Sequence, residues 1–138
     1  MTDEPKRFAG GCLCGALRYE AVGAPLYAGV CYCADCQRAS GSGFAPYMGF
    51  AAAQLTFSGP TRVFVSRSAR GGPSERNFCP TCGSLVFGGV VGQSDQHTIY
   101  AGTLDDPSLF KPTSAIFAKN RPAWSPLPPG VTAFDTMP

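Results

Sequence analysis

Apolar residues along this chain alternate with polar ones over short stretches and never hold helical spacing for long. Ala16 to Val22 alternates, as does "TRVFVSR" from Thr61 to Arg67, where Val63 and Val65 stand against Phe64. "FAPYMGF" (Phe44 to Phe50), "SLVFGGV" (Ser84 to Val90) and "HTIYAGTL" (His97 to Leu104) are rich in aromatic and β-branched residues, and they too predict strands. "AAAQL" (Ala51 to Leu55) has room for about one turn of helix, and residues 34 to 40 predict another turn behind Cys36. "SARGGPSERN" (Ser68 to Asn77) predicts a flexible loop. The tail "RPAWSPLPPGVTAFDTMP" holds too many prolines for a central strand, so it is expected to run extended over the surface with Trp124 as its packing anchor. The pattern predicts an all-β domain with little helix.

Composition narrows this picture. A length of 138 residues allows one domain, spanning 1–138, with a core of its own. The 17 glycines and 13 prolines cut the chain into short elements. There is no long apolar run to cross a membrane, and the charged "MTDEPKRF" start is not a secretory leader, so the expected location is cytoplasmic. In that compartment seven cysteines, an odd number, point to metal or catalysis rather than disulfides. The formal charge of +2 counts thiols as neutral, and metal-bound thiolates would make the chain slightly negative. The basic residues are scattered as well, which argues against a nucleic-acid partner.

The cysteines fall into three groups: Cys12 and Cys14 in "GGCLCG", then Cys31, Cys33 and Cys36 in "CYCADCQRASGSG", then Cys79 and Cys82 in "FCPTCG". In the last group Gly83 can take positive φ and turn backbone N–H groups toward both sulfurs, the usual build of half a structural zinc site. Its simplest partner is the other two-cysteine group, giving Cys12, Cys14, Cys79 and Cys82 as a closed four-sulfur site. Spacing alone does not force this pairing. A redox role for "CPTC" would want a βαβ pattern, which is absent, and a disulfide within "CLC" would be strained. The triple then lacks a fourth cysteine. His97 is the sole histidine and can be asked to complete it, although a lone histidine on a strand is more often an ordinary residue.

The three motifs in this order, with the closing "GTLDDPSLFKP" and "IFAKNRPAW", resemble the glutathione-dependent formaldehyde-activating enzyme family over about residues 8 to 125. Centromere protein V is similar too. The resemblance implies an Mss4-like fold of several small coiled antiparallel β-sheets stapled by zinc. It implies two zinc ions per chain, a structural one on Cys12, Cys14, Cys79 and Cys82 and a second on Cys31, Cys33 and Cys36. The partners it implies are a small thiol such as glutathione, proposed to add to the second zinc, and a small aldehyde such as formaldehyde. The implied activity is that of a carbon–sulfur lyase, forming or reversing S-hydroxymethylglutathione. The family often has histidine where this chain has Tyr32 and Ala115.

The chemistry of the triple points the same way. Three thiolates leave a zinc site negative, so water bound there is a poor acid and a soft thiol is the natural fourth ligand. Arg38, directly after the triple, is expected to favour the thiolate or bind a carboxylate, ahead of Arg70 and Arg76. Ser40, Ser42 and Ser84 read equally as turn chemistry. The competing readings are a zinc-stapled binding module and a glutathione carrier without catalysis.

Overall fold

The computed structural model describes residues 4–138. Eleven strands and one α-helix are described: β1 (Arg7–Gly11), β2 (Arg18–Val22), β3 (Tyr27–Cys31), α1 (Ala34–Ser40), β4 (Ala45–Ala51), β5 (Leu55–Ser58), β6 (Arg62–Arg67), β7 (Pro73–Phe78), β8 (Leu85–Gly88), β9 (Gln96–Tyr100), β10 (Ser114–Ile116) and β11 (Thr132–Ala133). The domain is mostly β, as the alternation predicts. "AAAQL" closes as a 3-10 turn, Ala52–Gln54, whose Gln54 side chain accepts from the Ala51 amide.

Two sheets form. β1, β2 and β5 make a three-stranded sheet, and the other eight strands follow the order β11-β10-β3-β4-β9-β8-β7-β6. Most pairs are antiparallel, but β10 runs parallel to both β3 and β11. Two expectations need correction. The segment from Ser68 to Asn77 is not all loop, because Pro73 to Phe78 zips onto β6 as an antiparallel hairpin, leaving only the turn at 68–72. Gly71 and Gly72, both at positive φ, serve that turn. Trp124 is not a packing anchor, since 72% of it is exposed. The tail is held by backbone-directed bonds beside it, and Ser125 is the residue that is buried.

The main core lies between the sheets. Phe8, Leu17, Tyr19 and Ala21 meet Met48, Phe50, Val86, Phe87 and Ile99, and buried Cys12 and Cys79 belong to the same cluster. Each large apolar side chain so buried stabilises by about 1.5–3 kcal/mol. A separate, smaller cluster joins Cys31 and Cys33 to Ile116 and Phe117. One cysteine set is therefore built into the main core, and the other stands outside it.

Candidate metal centres and the cleft

Backbone geometry shapes the first cysteine set. The Leu17 amide donates to Cys12 Sγ at 3.2 Å, and the Thr81 and Cys82 amides donate to Cys79 Sγ at 3.4 and 3.5 Å. Gly83, at φ 76°, closes the second knuckle by donating to the Cys79 carbonyl at 2.8 Å. Ser84 links the two knuckles: its Oγ accepts from the Leu13 amide at 3.0 Å and lies 3.3 Å from Cys82 Sγ. That hydroxyl and nearby amides pull the Cys82 thiol down to about 5. The four sulfurs lie within 4.8 Å of one another, and Cys14 Sγ is 3.6 Å from Cys12 Sγ and 3.7 Å from Cys79 Sγ. Tetrahedral sulfurs at about 2.3 Å from a zinc-sized ion would be about 3.8 Å apart, so this donor set fits such an ion. All seven cysteines are free.

Cys31, Cys33 and Cys36 also gather their sulfurs within 4.8 Å. Cys31 ends β3, while Cys33 caps α1, its Sγ accepting from the Cys36 amide at 3.3 Å. The helix stops where Gly41 takes the left-handed conformation. Gln37 fixes its approach by donating to the carbonyls of Tyr32 and Asn120. Hydrogen bonds from Cys31 and Cys36 draw the Cys33 thiol down to about 2, while Cys31 and Cys33 push Cys36 upward. Three sulfurs this close cannot all ionise alone, but a cation among them removes the conflict. Among the described residues no fourth Cys, His, Asp or Glu joins this set.

The triple opens on a cleft of about 550 Å³. Strand register makes its floor: Tyr47 pairs with Tyr100 on one side and Gly29 on the other, and Cys31 follows two residues along β3 on the same face. A side chain at Gly29 would reach within 2.7 Å of the Tyr47 hydroxyl, and one at Gly49 would run into the Tyr27 ring, so both glycines keep the floor clear for tyrosines. Burial pushes the Tyr100 hydroxyl up to about 12, which keeps it a donor.

Arg38 is exposed on the last turn of α1 and does not line this cleft. Arg70 and Arg76, from the β6–β7 hairpin, do. Arg76 donates to Ser66 Oγ at 3.1 Å, and its buried Nε has no partner. Burial works against its charge, but Tyr100 and Cys36 outweigh that cost. No local signal ranked Arg76 higher, because "PSERNF" carries one large apolar residue, Phe78, and no alternation of apolar and polar positions. His97 is a core residue, 3% exposed on β9, whose Nδ1–H donates to the Gly88 carbonyl at 2.8 Å and whose ring packs edge-on against the stacked pair Phe57 and Phe87. It belongs to neither cysteine set. Ser40 is turned back onto the Cys36 carbonyl at 2.7 Å and serves the helix end. Tyr32 and Ala115, where the resembling family often has histidine, are buried together with Val30.

A mostly β domain with one closed four-sulfur set and one open three-sulfur set beside a cleft belongs to the class of small β domains whose cysteine clusters could hold metal ions. Within that class the chain is a member of the glutathione-dependent formaldehyde-activating enzyme family, whose model matches residues 7–120. No curated protein matches the sequence. The fold is similar to a crystal structure of a Rhodobacter sphaeroides protein from structural genomics, with a TM-score of 0.54 and 20% identity, over 75% of this chain and 96% of that one. Among the described residues no helix is long and apolar enough to cross a membrane.

Proposed function

We propose that this protein is a zinc-dependent enzyme of the carbon–sulfur lyase type, joining a small thiol such as glutathione to a small aldehyde such as formaldehyde, or cleaving the adduct. One observation carries the reading: three converging sulfurs, joined by no fourth Cys, His, Asp or Glu among the described residues, face a cleft that two arginines line. Zinc on the three sulfurs would keep one donor position open and supply the charge that holds an incoming thiol as thiolate at neutral pH.

The chain's own groups do the rest. Arg76 and Arg70 line the cleft beside Asp35 and Glu75, and their guanidinium groups are the cations that would meet an anionic thiol. Ile116 and Phe117 exclude water from one side. The thiolate sulfur attacks the carbonyl carbon; the C–S bond forms as the C=O π pair moves to oxygen. That oxygen takes a proton from water or a cleft hydroxyl, Tyr47 and Tyr100 being among the hydroxyls that line it. Free cysteines suit a reducing compartment, and we place the activity in the cytoplasm.

The test is exchange spectroscopy of S-hydroxymethylglutathione formation from formaldehyde and glutathione on the zinc-loaded chain. Acceleration above the spontaneous rate, abolished in Cys33→Ser, is the expected result. Glutathione binding without acceleration would mean a carrier, and neither binding nor acceleration would remove the reading.

A further inference from the structure

The family match ends at residue 120, yet the chain beyond it returns to the cysteine triple. The return is bonded at each stage. The Tyr32 hydroxyl donates to the Pro126 carbonyl at 2.9 Å, and Arg121 donates to the Ser125 carbonyl at 2.8 Å. β11 then lies parallel on β10, with the Thr132 amide donating to Thr113 at 3.0 Å and the Phe134 amide to Ala115 at 2.8 Å. Beyond β11 the direction of donation reverses: the Phe117 and Ala118 amides donate to the carbonyls of Thr136 and Phe134, both at 2.9 Å. Phe134 packs against the cluster of Cys31, Cys33, Ile116 and Phe117, and Met137 and Pro138 reach the cleft itself.

The cleft is therefore two-sided in chemistry. Arg70 and Arg76 bring positive charge from the hairpin, beside the carboxylates of Asp35 and Glu75, while Ile116, Phe117, Met137 and Pro138 bring apolar surface. A cleft of about 550 Å³ lies in the usual range for a small-molecule site, where apolar lining sets affinity and a few polar groups set orientation.

We propose that the segment 132–138 is the specificity-determining wall of the thiol site, and that Met137 selects thiols carrying a carboxylate at one end and an apolar carbon skeleton beside the sulfur. The inference rests on the thiol-binding reading above. The wall can also be tested without a thiol substrate.

Two variants serve the test: Met137→Ala, an exposed substitution that leaves the backbone bonds intact, and a chain ended after Val131. The first measurement is release of the two metal ions from the zinc-loaded chain to the chelator 4-(2-pyridylazo)resorcinol. The shortened chain should release one ion at least tenfold faster than the full chain, with the other unchanged. Unchanged release of both ions, from a folded shortened chain, would overturn the wall. The second measurement is calorimetric titration with 3-mercaptopropionate and its 3-phenyl derivative, which carry equal charge. The full chain should prefer the phenyl thiol at least fivefold, as burial of part of a ring predicts. Met137→Ala should reduce that preference to about twofold or less. A full chain with no preference, or a preference that Met137→Ala leaves intact, would overturn the selection. Binding of neither thiol, with faster metal release on shortening, would keep the wall, overturn the thiol selection and remove the thiol-binding reading of the site.

Discussion

Phe117 holds a left-handed backbone, φ 54° and ψ 37°, while its amide donates across 2.9 Å to the carbonyl of Thr136. It is the one non-glycine residue at positive φ among those described, and its side chain is buried on the cysteine triple. Strain of this kind persists where surrounding contacts over-determine it.

That geometry inverts an ordinary ranking. Phe117→Ala loses the buried ring and keeps the strain, so it should destabilise by about 3 kcal/mol. Phe117→Gly loses the same ring but adopts the left-handed backbone freely, so it should be about 1 kcal/mol more stable than the alanine variant. Urea unfolding of the metal-loaded chains measures both, and alanine outranking glycine would contradict the strain.

The two cysteine sets should fail differently. Cys79 is fully buried in the main core, so Cys79→Ser should lose metal and fold together, a loss on the order of 10 kcal/mol. Cys33 lies in the satellite cluster, so Cys33→Ser should stay folded and carry one ion instead of two. Elemental analysis with circular dichroism reads both. Equal unfolding would mean that the triple is structural.

Arg76 and Arg38 should separate cleanly. Arg76→Ala should weaken glutathione by about 1.5–3 kcal/mol, the usual worth of a hydrogen bond to a charged group, and leave a small uncharged thiol nearly unaffected. Arg38→Ala, exposed on the helix, should alter neither. Calorimetric affinities decide, and the opposite order would return the anion site to α1.

Asp105 ties the three-stranded sheet to the loop after β9. Arg18 of β2 grips it through both guanidinium nitrogens, one at 2.9 Å, and these bonds hold the Asp105 carboxyl below its usual value. A carboxyl depressed in the folded state contributes stability above its unfolded pKa, and loses it as pH falls through the folded one. The stability gap between the native chain and Asp105→Asn should therefore be constant near neutrality and shrink below about pH 4. Thermal unfolding across that range measures it, and a gap that grew on acidification would contradict the pairing.

Local patterns settled what depends on neighbours in the chain. "CLC" and "CPTCG" place two sulfurs each within one turn, and "CYCADC" places three, so the donors of each group were legible before any folding, whereas spacing did not force the joining of the two pairs, which the folded chain brings together. The alternation in "TRVFVSR" and in Ala16 to Val22 likewise marked strands, although only the second has a buried face, with Tyr19 and Ala21 inward, while Val63, Phe64 and Val65 all stay exposed. The helix at residues 34 to 40 was legible too.

Contacts between distant segments decided the rest. Arg38 follows the triple in sequence but leaves it along the helix, whereas Arg76 is forty residues from Cys36 and reaches the same cleft through strand register. His97 becomes a core residue because β9 turns it against the stacked rings of Phe57 and Phe87. The proline-rich tail is read correctly as extended, but no periodicity could show that β11 lies parallel on β10 and carries Phe134 to the triple. Sequence determines which donors exist and how neighbours in the chain pair, because those distances are set by bonds. Which charge and which apolar wall meet them depends on packing between segments far apart, and only the folded chain fixes those distances.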